Sequence, residues 1–177
     1  MKKVLFAAVL LTAFQVTNAQ VNKGQWLAGG NVSFASEKTG EAKSTTIDIS
    51  PNAGYFFMNN FAGGLRVTFS SEKDKGADEA WTTFMAAPFL RYYFLPAAQK
   101  LNIFADGSFG FGSVGGDDKQ SLTGFQFMAG PAIFLTPNTA LEFALGYRSF
   151  KMKDAEDATN TFGINVGFQV HLGGGSK

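Results

Sequence analysis

The sequence predicts an all-β fold, an eight-stranded antiparallel up-and-down transmembrane β-barrel with short periplasmic turns and longer charged extracellular loops. Three observations lead to this prediction. Apolar residues alternate with small or polar residues in eight segments of about ten residues or slightly more. Phe and Gly are unusually frequent, at 20 and 21 of the 177 residues, which suits a lipid-facing surface better than a soluble core. The N-terminus has the pattern of a secretory signal peptide.

The first residues predict export. Two lysines precede an almost wholly apolar stretch, residues 4–13, and small residues lead up to Ala19. We therefore expect cleavage after Ala19, with residues 1–19 as the signal peptide and residues 20–177 as the barrel domain. The apolar stretch is well short of the ~20 residues that a membrane-spanning helix needs. The chain contains no cysteine, so we expect neither a lipid anchor at the N-terminus nor a disulfide scaffold.

The predicted strands follow from period-2 alternation. The clearest one is the last, residues 161–172, in which Phe162, Ile164, Val166, Phe168, Val170 and Leu172 form one apolar face and the intervening residues are small or polar. The other seven predicted strands cover residues 25–35, 45–57, 61–71, 81–94, 101–113, 122–135 and 139–150. An even number of such strands is required to close a bacterial barrel.

The connections alternate between two kinds. Three are short and turn-like, at residues 58–60, 96–100 and 137–138. Four are longer and polar, at residues 36–44, 72–80, 114–121 and 151–160. Short turns at one end and long charged loops at the other are typical of the periplasmic and extracellular ends of membrane barrels. Both chain termini are then expected on the periplasmic side.

The eight alternating strands, the Phe-rich faces and the signal peptide resemble the family of outer-membrane β-barrels that includes outer-membrane protein X. They are also similar to the membrane domain of outer-membrane protein A. In the last strand, Asn165, Gly167, Val170 and Leu172 resemble the signal by which such barrels are recognised for insertion. The sequence departs from that signal after Leu172, where a glycine-rich tail replaces the usual terminal aromatic residue. The resemblance implies location in the outer membrane, contact with its lipid and lipopolysaccharide, and handling by the barrel-assembly machinery.

Six charged residues fall in mid-strand on the face opposite the apolar one, and we expect them to line the lumen. They are Asp48, Arg66, Arg91, Asp106, Glu142 and Arg148. Three acids and three bases balance, which favours mutual pairing because an unpaired buried charge is costly. The short turn after the fourth strand predicts that Arg91 and Asp106 lie diagonally, about two residues out of register. Large side chains on the same face, Phe56, Phe89, Phe104 and Phe134, are expected to occlude the periplasmic half of this narrow barrel.

The sequence offers little for catalysis or cofactor binding. His171 is the only histidine, and with no second His and no Cys it has no evident partners for a hydrolytic or metal site. We expect its side chain to be hydrogen-bonded or solvated at the periplasmic end. The glycine-rich run 110–116 lacks the ending of a phosphate-binding loop and does not lead into a helix. The nearly balanced charge, 15 Lys and Arg against 14 Asp and Glu, gives no reason to expect a nucleic-acid partner.

These observations favour a non-catalytic barrel without a cofactor, with a structural or surface-interaction role and a polar plugged lumen. The alternative is a narrow pore or small-solute transporter. An envelope enzyme ranks third, and a soluble ligand-binding barrel is disfavoured because its lumen would be apolar and its exterior polar. The carboxylates of the long loops leave divalent-cation binding open, although the interspersed lysines favour solvated loops. A surface ligand bound by these loops is a further expectation.

Overall fold

In a computed structural model, residues 21–39, 42–74, 81–96, 99–115 and 119–173 are described. They form eight strands: β1 (Trp26–Thr39), β2 (Ala42–Met58), β3 (Phe61–Asp74), β4 (Trp81–Tyr93), β5 (Leu101–Gly115), β6 (Gln120–Thr136), β7 (Thr139–Met152) and β8 (Thr159–Leu172). In this part of the chain there is no helix long and apolar enough to cross a membrane. The predicted signal peptide, residues 1–19, lies outside the described residues.

The strands form one closed barrel in chain order, with every neighbouring pair antiparallel and β8 returning to pair with β1. The predicted eight-stranded up-and-down barrel is therefore confirmed. A path that starts at Leu172 of β8 and moves from each residue to its direct partner on the next strand returns to β8 at Phe162, ten residues from the start. The residues on this path are Leu172, Trp26, Tyr55, Gly63, Leu90, Gly107, Phe127, Tyr147 and Phe162. This stagger requires the strands to tilt, by about 35–45° in barrels of this kind.

The outer surface of the wall is apolar. Large exposed side chains occur on all eight strands, among them Val32, Phe34, Ile49, Leu65, Phe69, Leu90, Ile103, Phe109, Phe127, Leu145, Phe162 and Val166. Aromatic rings gather at the end that carries the short turns, where Trp26 contacts Tyr55 at 5.3 Å and Tyr92 contacts Phe94 at 5.0 Å between ring centroids. An apolar band with an aromatic girdle is the surface that a bilayer requires of a β-barrel.

Seven of the eight strands are longer than the sequence predicted, and the long loops are correspondingly shorter; β4 ends one residue earlier than predicted, at Tyr93. Residues 36–39 and 42–44 were expected to be loop, but they continue the β1–β2 pairing up to Thr39 and Ala42. Backbone pairing continues here among mostly polar residues, because a barrel wall that extends beyond the hydrocarbon layer no longer needs an apolar face. The loss of alternation therefore does not mark the end of the strand. Residues 40–41, 75–80 and 116–118 of the predicted loops lie outside the described residues.

Candidate functional site

The interior is the candidate functional site because all six predicted charges lie there. At its periplasmic end is a layer of rings, which we call the aromatic layer: Phe56, Tyr93, Phe104, Phe134 and His171. Ring centroids are 5.5 Å apart between Phe56 and His171, and 5.4 Å apart between Phe134 and His171. All five side chains are buried. These five rings fill the lumen at its periplasmic end.

The segment that precedes β1 covers the periplasmic side of the aromatic layer. Val21 is fully buried in the same apolar cluster as Phe56, Tyr93 and Phe134. Its carbonyl oxygen accepts a hydrogen bond from the Asn60 amide at 2.9 Å, in the turn between β2 and β3. The chain thus crosses the periplasmic mouth before it enters the wall. Sequence reasoning missed this contact because one buried valine ahead of a strand carries no periodic signal.

The expectation for His171 is wrong. Its side chain is buried, and neither ring nitrogen has a hydrogen-bond partner among the described residues. The alternation correctly placed His171 on the inner face, but the position near the strand end suggested water. The rings of Phe56, Tyr93 and Phe134 surround it instead, so it packs as an aromatic residue.

Above the aromatic layer, four of the six predicted charges form one continuous network. The Asp106 carboxylate accepts hydrogen bonds from Arg66 at 2.8 Å and from Arg91 at 3.0 Å. Arg91 also donates to both oxygens of Glu142, at 2.9 and 3.0 Å. The Tyr93 hydroxyl donates to the same carboxylate at 3.0 Å. We call these five residues the charged network; its ionic side chains are at most 1% exposed.

Arg91 and Asp106 are direct partners across β4 and β5, not diagonal ones. The difference comes from the turn, which is centred further along the chain than expected. The Asn102 side chain accepts a hydrogen bond from the Leu95 amide and donates one to the Leu95 carbonyl, both at 2.9 Å. These two bonds place Leu95 opposite Asn102 and thereby shift the register by two residues.

Aromatic faces complete the surroundings of the two buried guanidinium groups. Arg66 lies over the Phe89 ring at 5.0 Å, and Arg91 lies over the Phe104 ring at 4.7 Å from the centroid. Cations above aromatic faces are stabilised by the ring quadrupole, more strongly when water is excluded. The large inward Phe residues therefore hold the charged network as well as occlude the lumen.

The remaining two predicted charges form a separate pair nearer the extracellular end. Arg148 donates to the Asp48 carboxylate, and 13% of the Arg148 side chain is exposed. Inward residues around this pair, such as Ser70 and Thr83, are half-buried. A cavity of about 10 Å³ lies beside Ser33, Gln126, Gly146, Arg148, Thr161, Gly163 and Asn165, about the smallest size that holds a water molecule. The lumen of the extracellular half is thus lined by small and polar residues and is only partly filled by side chains.

The predicted insertion motif has a packing role in the folded wall. Gly167 faces Asn31 and Glu142, and a Cβ atom there would lie 2.5 Å from Asn31 Oδ1 and 3.2 Å from Glu142 Oε2. Asn165 is buried beside Gly146, whereas Leu172 is exposed and pairs with Trp26. The Gly167 position therefore has no room for a larger side chain, because Asn31 and the charged-network residue Glu142 occupy the space in front of it.

The acids of the lumen are all engaged in ion pairs. Each of the three lumen acids accepts a hydrogen bond from at least one arginine. No group of three His, Cys, Asp or Glu side chains able to hold a metal ion occurs in the described part of the chain. Of the acidic loops, Asp154, Glu156 and Asp157 are described and exposed. The loop carboxylates at residues 78, 79, 117 and 118 lie outside the described ranges.

A closed barrel with an apolar exterior and a polar, largely filled interior is the architecture of a small outer-membrane β-barrel protein. The chain belongs to the outer membrane protein beta-barrel domain family, whose model matches residues 5–169. Its location is therefore the outer membrane. A search of curated proteins found no match.

Solved structures share the fold. The outer membrane protein OprG from Pseudomonas aeruginosa matches with a TM-score of 0.59 and 12% identity, over 90% of this chain and all of the other. Neisserial surface protein A matches with a TM-score of 0.57 and 18% identity, over 84% of this chain and 97% of the other. The N-terminal barrel of Pseudomonas aeruginosa OprF matches with a TM-score of 0.51 and 14% identity, over 83% and 98%.

Proposed function

We propose that this protein is a sealed, non-catalytic outer-membrane barrel whose role is structural or depends on contacts made at its extracellular end. One observation carries the proposal: in the periplasmic half, the aromatic layer and the charged network fill the lumen with side chains that are almost fully buried.

The charged network opposes ion passage for a physical reason. An ion that enters it must displace an arginine or a carboxylate from its partner in a region that excludes water. Breaking a buried pair by removing one partner costs about 3–5 kcal/mol, and Asp106 has two partners at once. The network is therefore a structural plug.

The same pairing supports a non-catalytic role. A general base or nucleophile must reach a substrate, whereas Asp106 and Glu142 are committed to arginines in the closed half. His171 is enclosed by rings. Contacts outside the lumen are the remaining means of action: lipid and lipopolysaccharide around the wall, the assembly machinery during insertion, and a surface ligand at the extracellular end.

A narrow pore is the second candidate, and one observation favours it. Besides the two His171 nitrogens, five buried polar atoms in the lumen lack a hydrogen-bond partner among the described residues: Asn31 Nδ2, Asp48 Oδ1, Arg66 Nε, Arg91 Nη2 and Asp106 Oδ1. Such atoms are commonly satisfied by ordered water. A continuous file of water through them would make a path for small ions.

Conductance in planar lipid bilayers distinguishes the two candidates. The wild-type barrel, shown to be folded by heat-modifiable migration, should give no steady conductance above the bare membrane. A large porin with a water-filled channel, reconstituted and measured under the same conditions, shows that the assay detects an open barrel. Reproducible unitary steps in the wild type would replace the proposal with the pore.

A further inference from the structure

The outer wall has a depression near the extracellular ends of β2 to β5, which we call the rim groove. Its volume is about 500 Å³, within the range of small-molecule sites. Two rows of outward residues line it, and in each row the residues are direct partners across the four strands. The lower row is Ile49, Phe69, Phe84 and Ser113, and the row nearer the rim is Ile47, Ser71, Thr82 and Gly115.

The rim groove exists because small residues follow large ones along the strands. Phe69 and Phe84 are 52% and 46% exposed, with their ring centroids 5.3 Å apart. The next outward residues toward the rim are Ser71, Thr82 and Gly115, whose side chains are too small to cover the wall to the same depth. The Thr82 hydroxyl donates to the Gly115 carbonyl at 3.1 Å and joins β4 to β5 at this level. The groove therefore has an apolar lower side and a floor with hydroxyl groups.

A cation completes the rim groove. Lys119 is exposed and lines the groove. It lies two residues before Ser121, the direct partner of Ser113 in the lower row, and so shares the outward side of the wall. Its ammonium group makes no hydrogen bond or ion pair with any other described residue. The lining thus changes from rings to hydroxyl groups to a positive charge.

Two other depressions in the outer wall are of similar size and have no such charge. One, of about 420 Å³, lies beside Gly30 and Pro51, and the other, of about 390 Å³, lies beside Ala105 and Ala129. Asp106 also lines the second, but its carboxylate belongs to the charged network in the lumen. Acyl chains of the bilayer suffice to fill such apolar depressions. Lys119 and the hydroxyl groups distinguish the rim groove from both.

An amphiphile with an anionic, oxygen-rich head matches this gradient. We propose that the rim groove binds one molecule of the phosphorylated glycolipid of the outer leaflet, the lipid A part of lipopolysaccharide. An acyl chain lies against Phe69 and Phe84, the sugar and ester oxygens meet Ser71 and Thr82, and a phosphate pairs with Lys119. The inference rests on the proposed function, because it specifies one contact of a sealed barrel with its surroundings.

Position and charge select this lipid over other lipids. The chain is located in the outer membrane, and the rim groove lies toward its extracellular face, where lipopolysaccharide is the main lipid. A zwitterionic phospholipid would bring a cation of its own toward Lys119. An anionic phospholipid offers the phosphate but fewer hydroxyl partners for Ser71, Thr82 and Ser113 than a sugar does.

Native mass spectrometry of the folded barrel in detergent micelles tests the inference. The probes are lipid A, lipid A from which both phosphates have been removed, and phosphatidylglycerol. We expect the wild-type barrel to retain one molecule of lipid A. The dephosphorylated lipid and phosphatidylglycerol should each bind at least fivefold more weakly, because the first lacks the anion and the second lacks the sugar.

Two pairs of variants assign the binding to the rim groove. Lys119→Gln removes its cation, whereas Lys151→Gln removes an exposed lysine of β7 that does not line the groove. Ser71→Phe fills the groove, whereas Ala129→Phe fills one of the uncharged depressions. The first variant of each pair should weaken lipid A binding at least fivefold, and the second should leave it unchanged. Heat-modifiable migration shows that each variant is folded.

Three results would overturn the inference. They are equal binding of lipid A with and without its phosphates, equal binding of phosphatidylglycerol, and a loss of binding in Lys119→Gln no larger than that in Lys151→Gln. The second result would assign the groove to anionic lipids in general, and the third would show a nonspecific charge effect. None of them bears on the conductance measurement, so the sealed-barrel proposal stands or falls separately.

Discussion

The periplasmic and extracellular halves of the lumen are filled by different kinds of side chain. The periplasmic half is filled by rings and by a network in which the buried carboxylates of Asp106 and Glu142 pair with two buried arginines. The extracellular half has small and polar inner residues and one ion pair, Asp48 with Arg148, whose arginine is partly exposed. Asp48 and Asp106 are both buried, so the difference lies in the arginines: the Arg148 side chain is 13% exposed, whereas those of Arg66 and Arg91 are at most 1% exposed. The seal is therefore a property of the periplasmic half alone.

This contrast assigns different energies to similar ion pairs. A charge pair that water can reach contributes little, because solvent replaces a lost partner. A fully buried pair is costly to break, because the remaining charge has no substitute. Substitutions of equivalent chemistry in the two halves should consequently differ in effect, and three of them test the contrast.

The largest effect is expected from removing the shared acid of the charged network. Asp106→Ala deprives two buried arginines of a partner and should lower the free energy of unfolding by about 3–5 kcal/mol. The matched change in the other half, Asp48→Ala, should cost about 1 kcal/mol because water reaches Arg148. Urea unfolding in lipid vesicles, followed by heat-modifiable migration, measures both. Equal losses for the two variants would mean that the halves do not differ in solvation.

A smaller loss of stability is expected at Gly167, where the charged network limits the size of the side chain. Gly167→Ala places a methyl group against Asn31 and Glu142 and should cost about 1–3 kcal/mol by overpacking. Gly107→Ala is the control, since its Cβ would meet only the Phe127 ring, at 3.2 Å, on the outer surface. The same unfolding assay applies. A neutral Gly167→Ala would show that the network yields easily and is not closely packed.

The smallest effect concerns the histidine of the aromatic layer. His171→Phe keeps a ring in place and removes two nitrogens that have no hydrogen-bond partner among the described residues. It should leave the stability unchanged or raise it by about 1 kcal/mol. His171→Ala should lower the stability, because the ring contacts with Phe56 and Phe134 are lost. If His171→Phe proves clearly destabilising, the nitrogens are hydrogen-bonded in the membrane and the layer is not dry.

The fold was predictable because a lipid-facing wall imposes a strict alternation. Each outward position must be apolar over the full height of the membrane, and in β8 every second residue from Phe162 to Leu172 obeys this requirement. The placement of the six charges on the inner face uses the same rule. Alternation is local, so it remains informative without knowledge of the partner strand.

The contacts inside the barrel depend on register, which alternation does not determine. A register shift of two residues, accompanied by the hydrogen bonds between Asn102 and Leu95, makes Arg91 and Asp106 direct partners. Whether Arg66 of β3 also reaches Asp106 of β5 depends on the combined register of the two strand pairs between them, β3–β4 and β4–β5. The contact of Val21 with Asn60 and the end of the β1–β8 pairing at Phe34 and Ile164 likewise have no periodic signature. These features required the three-dimensional structure.

Water accessibility of single cysteines along the lumen tests the contrast most directly, because the chain has no cysteine of its own. Ser70→Cys and Thr83→Cys probe half-buried inner positions of the extracellular half, and Ala132→Cys and Ala140→Cys probe fully buried positions of the periplasmic half. Each folded variant in vesicles is treated from outside with a membrane-impermeant thiol reagent. The account predicts rapid labelling at residues 70 and 83 and none at residues 132 and 140 until the barrel is unfolded. Labelling of the periplasmic-half cysteines in the folded barrel, at rates similar to those of the other two, would contradict it.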